Sequence, residues 1–438
     1  MGSADTIFAV SSGGGRAGVA VIRLSGPQSL AALAALTSAP WTSPSRTLVR
    51  VDLRDSAGGL LDEAMAVAFA GPRSFTGEDV VELHTHGSPA VTRAVLAALS
   101  SLPGCRPAEA GEFTQRAFLN GKMDLASVEG LGDLIDAQTE AQRRLSLRQL
   151  GGALSDAVLS WRESIILLRA ETEAWIDFPD EDLPEDFFPT VRSRAAALAR
   201  EMQQATAQSH RLAAHVRDGF TVALVGLPNV GKSSLLNALA ARDVAIVTDV
   251  AGTTRDALSV PIDLEGFLVN IVDTAGLRET DDRVEAIGVS RALEAAAAAD
   301  LVLWLIDERG EDAAIAEQLV GISALKVATK RDLWSGDGLP LQVSVQNGVG
   351  LDGLLAAVRE RLLGGEVSLD DVLPMGRQRH EHHVSAAVQA LARCEDQDEL
   401  ALLAECMRDA SAALGRITGA VDVEDVLDHI FSRFCIGK

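Results

Sequence analysis

The stretch Phe220-Thr-Val-Ala-Leu-Val-Gly226-Leu-Pro-Asn229-Val230-Gly231-Lys232-Ser233-Ser234 decides the reading of the chain. Six apolar or β-branched residues form a strand and run into Gly226-x-x-x-x-Gly231-Lys232-Ser233, and Leu235, Leu236 and Leu239 then continue at helical spacing. Glycines let the backbone curl so that its N–H groups point inward around a β-phosphate, and the following helix adds the positive end of its dipole. In such a loop Lys232 supplies a point charge to the β- and γ-phosphates, and the Ser233 hydroxyl suits Mg²⁺. Strand, loop and helix stand in the required order, which a chance match would not provide.

Further elements extend the phosphate machine. Leu268–Val272 reads as a strand ending in Asp273-Thr274-Ala275-Gly276, where Asp273 can hold the metal through water and the Gly276 N–H can sense the γ-phosphate. Leu301–Ile306 and Leu325–Ala328 are nearly continuous apolar runs, as buried parallel strands require. The second leads into Thr329-Lys330-Arg331-Asp332, which resembles the N/T-K-x-D guanine reader. There Asp332 would accept from guanine N1 and N2, and the Lys330 stem would cover the base. Thr329 stands where Asn is commoner, so a weaker hydrogen bond is expected. Ser344-Val345, after a strand at Leu341–Val343, occupies the place of a Ser-Ala pair that approaches the guanine oxygen through its backbone. GTP rather than ATP is therefore the expected substrate. Between the phosphate loop and Asp273 lies Thr248-Asp-Val250-Ala-Gly-Thr253-Thr254-Arg255-Asp256, from which Thr254 is the expected second hydroxyl on Mg²⁺. Leu277 follows Gly276 where many small GTPases carry a water-orienting Gln. Leucine cannot orient a nucleophile, so another polar group is needed, and Glu285 is the best local candidate.

Outward from this core, the 438 residues divide by pattern. Residues 1–118 mix β-like runs (Thr6–Val10, Gly18–Leu24, Glu63–Phe69, Val80–His84) with one helical pattern at Pro89–Leu102, an α+β domain. Residues 119–218 are helical, interrupted by the Pro- and acid-rich run Trp175–Pro189. Residues 219–364 alternate strand and helix, and residues 365–438 return to helix. The reading is a multidomain α/β protein: an N-terminal α+β domain, then an all-α domain split by an inserted Ras-like P-loop G domain.

Composition narrows the function. With 62 acidic against 39 basic residues the formal charge is −23, which argues against holding nucleic acid by bulk electrostatics. Residues 1–118 are nearly balanced, with 9 basic and 10 acidic side chains, and so do not strongly repel an anionic ligand. The four cysteines (Cys105, Cys394, Cys406, Cys435) form no C-x-x-C pair. No apolar run approaches a membrane span, and Met1–Asp5 has no signal-peptide design. A cytoplasmic protein with no membrane association is expected.

Several blocks together resemble the MnmE (TrmE) family of tRNA-modification GTPases. They are Asn229 within the phosphate loop, Gly252-Thr-Thr-Arg-Asp256, Asp273-Thr-Ala-Gly-Leu-Arg278 and Phe434-Cys-Ile-Gly-Lys438. Ser74–Leu83, His86-Gly87, Gly111–Asn120, Lys122–Leu125 and Ile176–Pro179 extend the likeness over the whole chain. The resemblance implies a homodimer whose N-terminal domain dimerises and binds a tetrahydrofolate derivative like 5-formyltetrahydrofolate, with Arg23, Glu82, Lys122 and Lys438 at that site. It implies K⁺ coordination by Asn229, Thr248, Val250 and Thr253, beside the β- and γ-phosphates, in place of an arginine finger. It implies a catalytic Glu285, G-domain contacts from Arg255 and Arg278, and a terminal Cys435 with a chemical or an anchoring role. Finally, it implies work with the flavoprotein MnmG (GidA), as a heterotetramer, to build an aminomethyl-type group at C5 of the wobble uridine in tRNA. Two rivals of other classes are a GTP-switched ribosome-assembly factor, which predicts a basic RNA-binding appendage, and a folate enzyme in which GTP hydrolysis is only regulatory.

Overall fold

The computed structural model describes residues 5–177, 184–242, 244–246, 259–273, 297–334, 338, 340–365, 367–421, 427, 430–432, 434 and 436–437. The chain forms two compact units from interleaved segments: Met1–Gly132, Ser155–Ala174 and Ala404–Lys438 in the first, and Asp133–Leu154 and Trp175–Leu403 in the second.

The first unit is built on a six-stranded sheet of order β3-β4-β5-β2-β1-β6. Its strands are β1 (Thr6–Val10), β2 (Val19–Ser25), β3 (Val49–Arg54), β4 (Leu60–Phe69), β5 (Val80–His86) and β6 (Cys105–Pro107). All pairings are antiparallel except β1 with β6. Alternation along β1 sets the two faces. Phe8 joins Ile22, Leu24 and Leu83 under the helices α1 (Ser29–Thr37) and α2 (Pro89–Ser100), while Ile7 and Ala9 pack with Phe113 on the other side. Because both faces of β1 are covered, its run after Thr6 is apolar throughout.

Sequence patterning missed four elements of this unit. The helix α1 is apolar on all sides in Ser29-Leu-Ala-Ala-Leu-Ala-Ala-Leu-Thr37, so no polar stripe gives a period. The helix α3 (Glu112–Leu119) has only two turns. The strand β3 carries Arg50, Asp52 and Arg54, and β6 is three residues long. Helical segments complete the unit. In α6 (Ala153–Asp177) Val158, Trp161, Ile165 and Leu168 form a buried 3–4 stripe, and in α12 (Leu400–Thr418) Met407, Ala410, Leu414 and Ile417 do the same. The C-terminal residues return to the sheet. Ile436 bridges Ala110, and a Cβ on Gly437 would lie 2.0 Å from the Val10 carbonyl oxygen, so only glycine fits there.

The second unit combines helices with a six-stranded sheet of order β12-β11-β10-β7-β9-β8. Its strands are β7 (Phe220–Val225), β8 (Ser259–Leu264), β9 (Phe267–Asp273), β10 (Leu301–Ile306), β11 (Ala324–Ala328) and β12 (Leu341–Gln342). Every neighbouring pair is parallel except β8 with β9, a hairpin that sequence patterning missed on its β8 side. Leu224, Leu303 and Leu305 face one core layer, while Ala223, Val302, Trp304 and Ile306 face the other. That two-sided burial explains the unbroken apolar β10. The helices on the sheet are α8 (Lys232–Ala240), α9 (Ala313–Gln318) and α10 (Leu351–Leu363).

The long helix α7 (Phe187–Asp218) feeds β7 through Gly219, whose φ is +85° and where a Cβ would stand 2.7 Å from Asn270 Nδ2, so a side chain is excluded. At the same junction the His215 ring stacks on Phe220 with centroids 4.6 Å apart, and its Nε2 pairs with Asp300 at 2.7 Å. The helix α5 (Glu140–Leu150) opens with a Thr139/Gln142 capping box, and its Ala141 N–H donates to the Gly266 carbonyl of the β8–β9 turn. The remaining helices are α4 (Leu125–Asp136) and α11 (Gln378–Ala392). Among the described residues, no helix is long and apolar enough to cross a membrane.

Candidate nucleotide site and N-terminal ion pair

The phosphate loop sits between β7 and α8 at the carboxyl edge of the parallel sheet, where open α/β sheets bind ligands. A Cβ on Gly226 would stand 2.6 Å from the Leu305 carbonyl oxygen, so glycine is needed for the loop to leave the sheet so close to β10. Asn229 takes a left-handed φ of +62°, and Gly231 caps α8 at φ +106°. These turns curl the backbone before the helix N-terminus. Val230 is buried, whereas Asn229, Ser233 and Ser234 are exposed. Lys232 is buried, and its Nζ donates to the carbonyls of Gly226 at 2.7 Å and Leu227 at 3.0 Å. The ammonium is thereby held at the mouth of the loop. The Ser233 hydroxyl donates to Asp273 Oδ2 at 2.6 Å, and Asp273 is fully buried at the end of β9. A hydroxyl and a carboxylate brought together as oxygen-only donors fit a hard divalent cation such as Mg²⁺.

The base-side loops leave β10, β11 and β12 beside this loop. Thr329 is 3 % exposed, and its hydroxyl donates to the Val230 carbonyl at 2.6 Å. The residue expected to bond weakly to a base thus ties the base-side loop to the phosphate loop. The Trp334 indole donates to the Thr329 carbonyl at 2.7 Å. Lys330 adopts a left-handed φ of +55°, and its Nζ pairs with Asp307 Oδ2 at 3.0 Å. The Ser344 hydroxyl donates to Asp332 Oδ1 at 2.7 Å, which orients that carboxylate. Val345 packs against the sheet's core, and its neighbour Ser344 bridges Val349.

Asp307 and Arg309 are absent from the sequence-derived site. Asp307 is fully buried directly after β10 and receives Arg309 in a fork, Nε to Oδ1 at 2.9 Å and an Nη to Oδ2 at 2.7 Å. Arg309 hydrogen bonds, with help from Lys330, outweigh burial and hold the Asp307 carboxyl well below the usual carboxylate range. An available signal was a charged residue closing an otherwise apolar parallel strand.

Thr248, Val250, Thr253, Thr254, Arg255, Thr274, Ala275, Gly276, Leu277, Arg278 and Glu285 lie outside the described residues. Of the four expected K⁺ ligands, only Asn229 is described; its exposed side-chain amide carries an oxygen donor of the kind hard cations take.

In the first unit, Arg23 on β2 and Glu82 on β5 are cross-strand partners, paired at 2.8 Å with side chains about one-fifth exposed. The Arg23 guanidinium lies 5.4 Å from the Phe75 ring centroid and 5.9 Å from that of Phe113. These two aromatics were also missed, since nothing in their spacing links them to Arg23. Lys122 Nζ donates to the Pro72 carbonyl at 3.0 Å, on the loop that carries Phe75. A carboxylate, a guanidinium and two rings fit a flat aminopyrimidine-bearing ring system of the pterin type. Cys435 and Lys438 lie outside the described residues.

Comparison with known proteins agrees with this geometry. The profile of the MnmE helical domain matches residues 125–435, and that of the GTP-binding protein TrmE N-terminus matches residues 6–122. The tRNA modification GTPase MnmE of Azorhizobium caulinodans is 49% identical over 100% of this chain and 99% of its own length. The MnmE of Rhodospirillum rubrum is 48% identical over 99% of both chains, and that of Agrobacterium fabrum 47% over 100% of this chain and 99% of its own. The chain belongs to the MnmE (TrmE) family of tRNA-modification GTPases.

Proposed function

We propose that the chain is a K⁺-stimulated GTPase that works with the flavoprotein MnmG (GidA) on the wobble uridine of certain tRNAs. Family membership makes it a GTP hydrolase acting in tRNA modification. The finer reading is that the pair, as a heterotetramer built on a homodimer in the cytoplasm, installs an aminomethyl-type group at C5. Its one-carbon unit comes from a tetrahydrofolate derivative like 5-formyltetrahydrofolate. Residues 1–118 are the folate-binding and dimerisation domain, 219–364 the inserted G domain, and 119–218 with 365–438 the helical domain.

One observation carries the nucleotide reading: Lys232 at the loop mouth with Ser233 hydrogen-bonded to buried Asp273 at the carboxyl edge of a parallel sheet. Backbone N–H groups of Asn229 to Ser234 cradle the β-phosphate, and Lys232 turns its charge toward the β,γ-bridging region. Ser233, Thr254 and Asp273 would hold Mg²⁺, and Asn229, Thr248, Val250 and Thr253 would hold K⁺. When bound, the two cations would supply positive charge against that developing on the β- and γ-phosphates. Thr274, Ala275 and Gly276 are the residues assigned to contact the γ-phosphate, and Glu285 to orient the attacking water that Leu277 cannot. Arg278 steadies the closed site. On the base side, Lys330 covers the ring, Asp332 accepts from guanine, and Thr329, Ser344 and Val345 shape the pocket.

Arg23, Glu82, Lys122 and Lys438 would hold the folate, which when bound would supply the one-carbon unit. Arg23 and the lysines suit carboxylates, and Glu82 suits amino N–H groups. Cys435 contributes a thiol with a chemical role.

GTP turnover of the purified chain in K⁺ and in Na⁺ tests this reading. Slower turnover in Na⁺ is expected, and equal rates would remove the K⁺ assignment. Glu285→Ala is expected to leave GDP affinity unchanged and to slow hydrolysis by about a hundredfold, the lower range for a lost acid–base group. An unchanged rate would move the water-orienting role elsewhere.

A further inference from the structure

Three loops at the carboxyl edge of the parallel sheet, after β7, β10 and β11, are joined by hydrogen bonds that the phosphate and guanine assignments do not use. Asp307 is the hub. Its buried carboxylate accepts from Lys330 on one side and from the Arg309 fork on the other. Arg309 also donates through Nη to the Pro228 carbonyl at 2.9 Å, immediately before Asn229 in the phosphate loop. A second tie, from the Thr329 hydroxyl to the Val230 carbonyl, runs parallel to the first.

We propose that Asp307 and Arg309 are positioning residues that lock the Lys330 stem over the base and clamp the phosphate loop, making base and phosphate recognition one braced unit.

The geometry supports each half. Lys330 holds a backbone conformation rare for a side-chain-bearing residue, so its direction depends on an external anchor, and Asp307 is that anchor. An uncompensated carboxylate as buried as Asp307 would be costly, which makes its two cationic partners mutually dependent. Arg309 can serve Asp307 and Pro228 together because its planar fork presents several donors at once; a lysine point charge could not span both. The proposal rests on the reading of Lys330 and Asp332 as guanine-binding residues.

The test uses the full chain and a fluorescent GDP analogue. Asp307→Asn is expected to speed GDP release by about tenfold, the scale of one charge-assisted hydrogen bond. In a Lys330→Ala background the same change is expected to add almost nothing, because the anchor then has nothing to hold. A merely structural role would lower the melting temperature in both backgrounds, and additive effects on release would overturn the anchoring. Arg309 is 43% exposed, so its variants keep the test open if Asp307→Asn fails to fold. Arg309→Gln and Arg309→Lys are both expected to speed release, and full rescue by Arg309→Lys would overturn the fork. Wild-type failure to bind GDP overturns the guanine reading and the brace together. Wild-type binding with every variant unchanged overturns the brace alone.

Discussion

In the parallel sheet of the second unit, Asp273, Asp307, Lys330 and Asp332 all stand at or just beyond the carboxyl ends of strands. In the antiparallel sheet of the first unit, Arg23 and Glu82 project from within neighbouring strands. The first arrangement builds a site from loops, each a short contiguous piece of sequence. The second builds one from the face of the sheet, with partners 59 residues apart. Contiguity also sets how charge is held. Asp307 is sealed beneath Arg309 and Lys330, whereas the Arg23–Glu82 pair stays partly open between two aromatic rings. A sealed hub suits alignment of loops, and an open pair suits exchange with a ligand.

The sharpest way to break this contrast is to disable each site alone. Lys232→Ala is expected to weaken GDP binding by about a hundredfold, as loss of a buried charged donor to phosphate should. Calorimetry should show binding of 5-formyltetrahydrofolate unaltered by that change. Arg23→Ala should give the mirror result, a folate affinity lower by about tenfold with GDP affinity unchanged. If either variant harms both ligands equally, the sites are not independent.

Smaller effects sharpen the comparison on the loop side. Thr329→Val removes the buried donor to the Val230 carbonyl and should cost about 1–3 kcal/mol in urea unfolding of the second unit. A cost near zero would show that the tie is dispensable. The pH dependence of Asp307 has a definite sign. Its folded carboxyl is held below the usual range, chiefly by Arg309, so its stabilisation is complete above the unfolded value of about 3.9 and is lost as pH falls further. The stability gap between wild type and Asp307→Asn should therefore be constant from about pH 5 to about pH 8 and close in more acid solution. A gap that widens on acidification would contradict the buried ionised hub.

Legibility followed the same division. The strand at Leu301–Ile306 was readable to the residue because both its faces are buried, and the phosphate loop because its chemistry needs fixed glycines at fixed spacing. The strand β3 was hidden by Arg50, Asp52 and Arg54, and α1 by having no polar side. The tie from Thr329 to Val230 was not legible, since the two residues stand 99 apart in the chain. Phe75 and Phe113 reach Arg23 from a loop and a short helix that no local pattern joins to β2.

By itself the amino-acid order determined that a Gly226-x-x-x-x-Gly231-Lys232-Ser233 loop, a strand ending in Asp273 and the turn Thr329-Lys330-Arg331-Asp332 follow one another along a parallel sheet. Backbone curvature, strand burial and helix starts are local consequences of residue type. Tertiary structure alone decided which side chains hold those pieces in mutual register: Asp307 between Lys330 and Arg309, Thr329 on Val230, and Arg23 opposite Glu82. Such partners meet only after strands have paired and packed, and their hydrogen bonds depend on distances that separation along the chain does not encode.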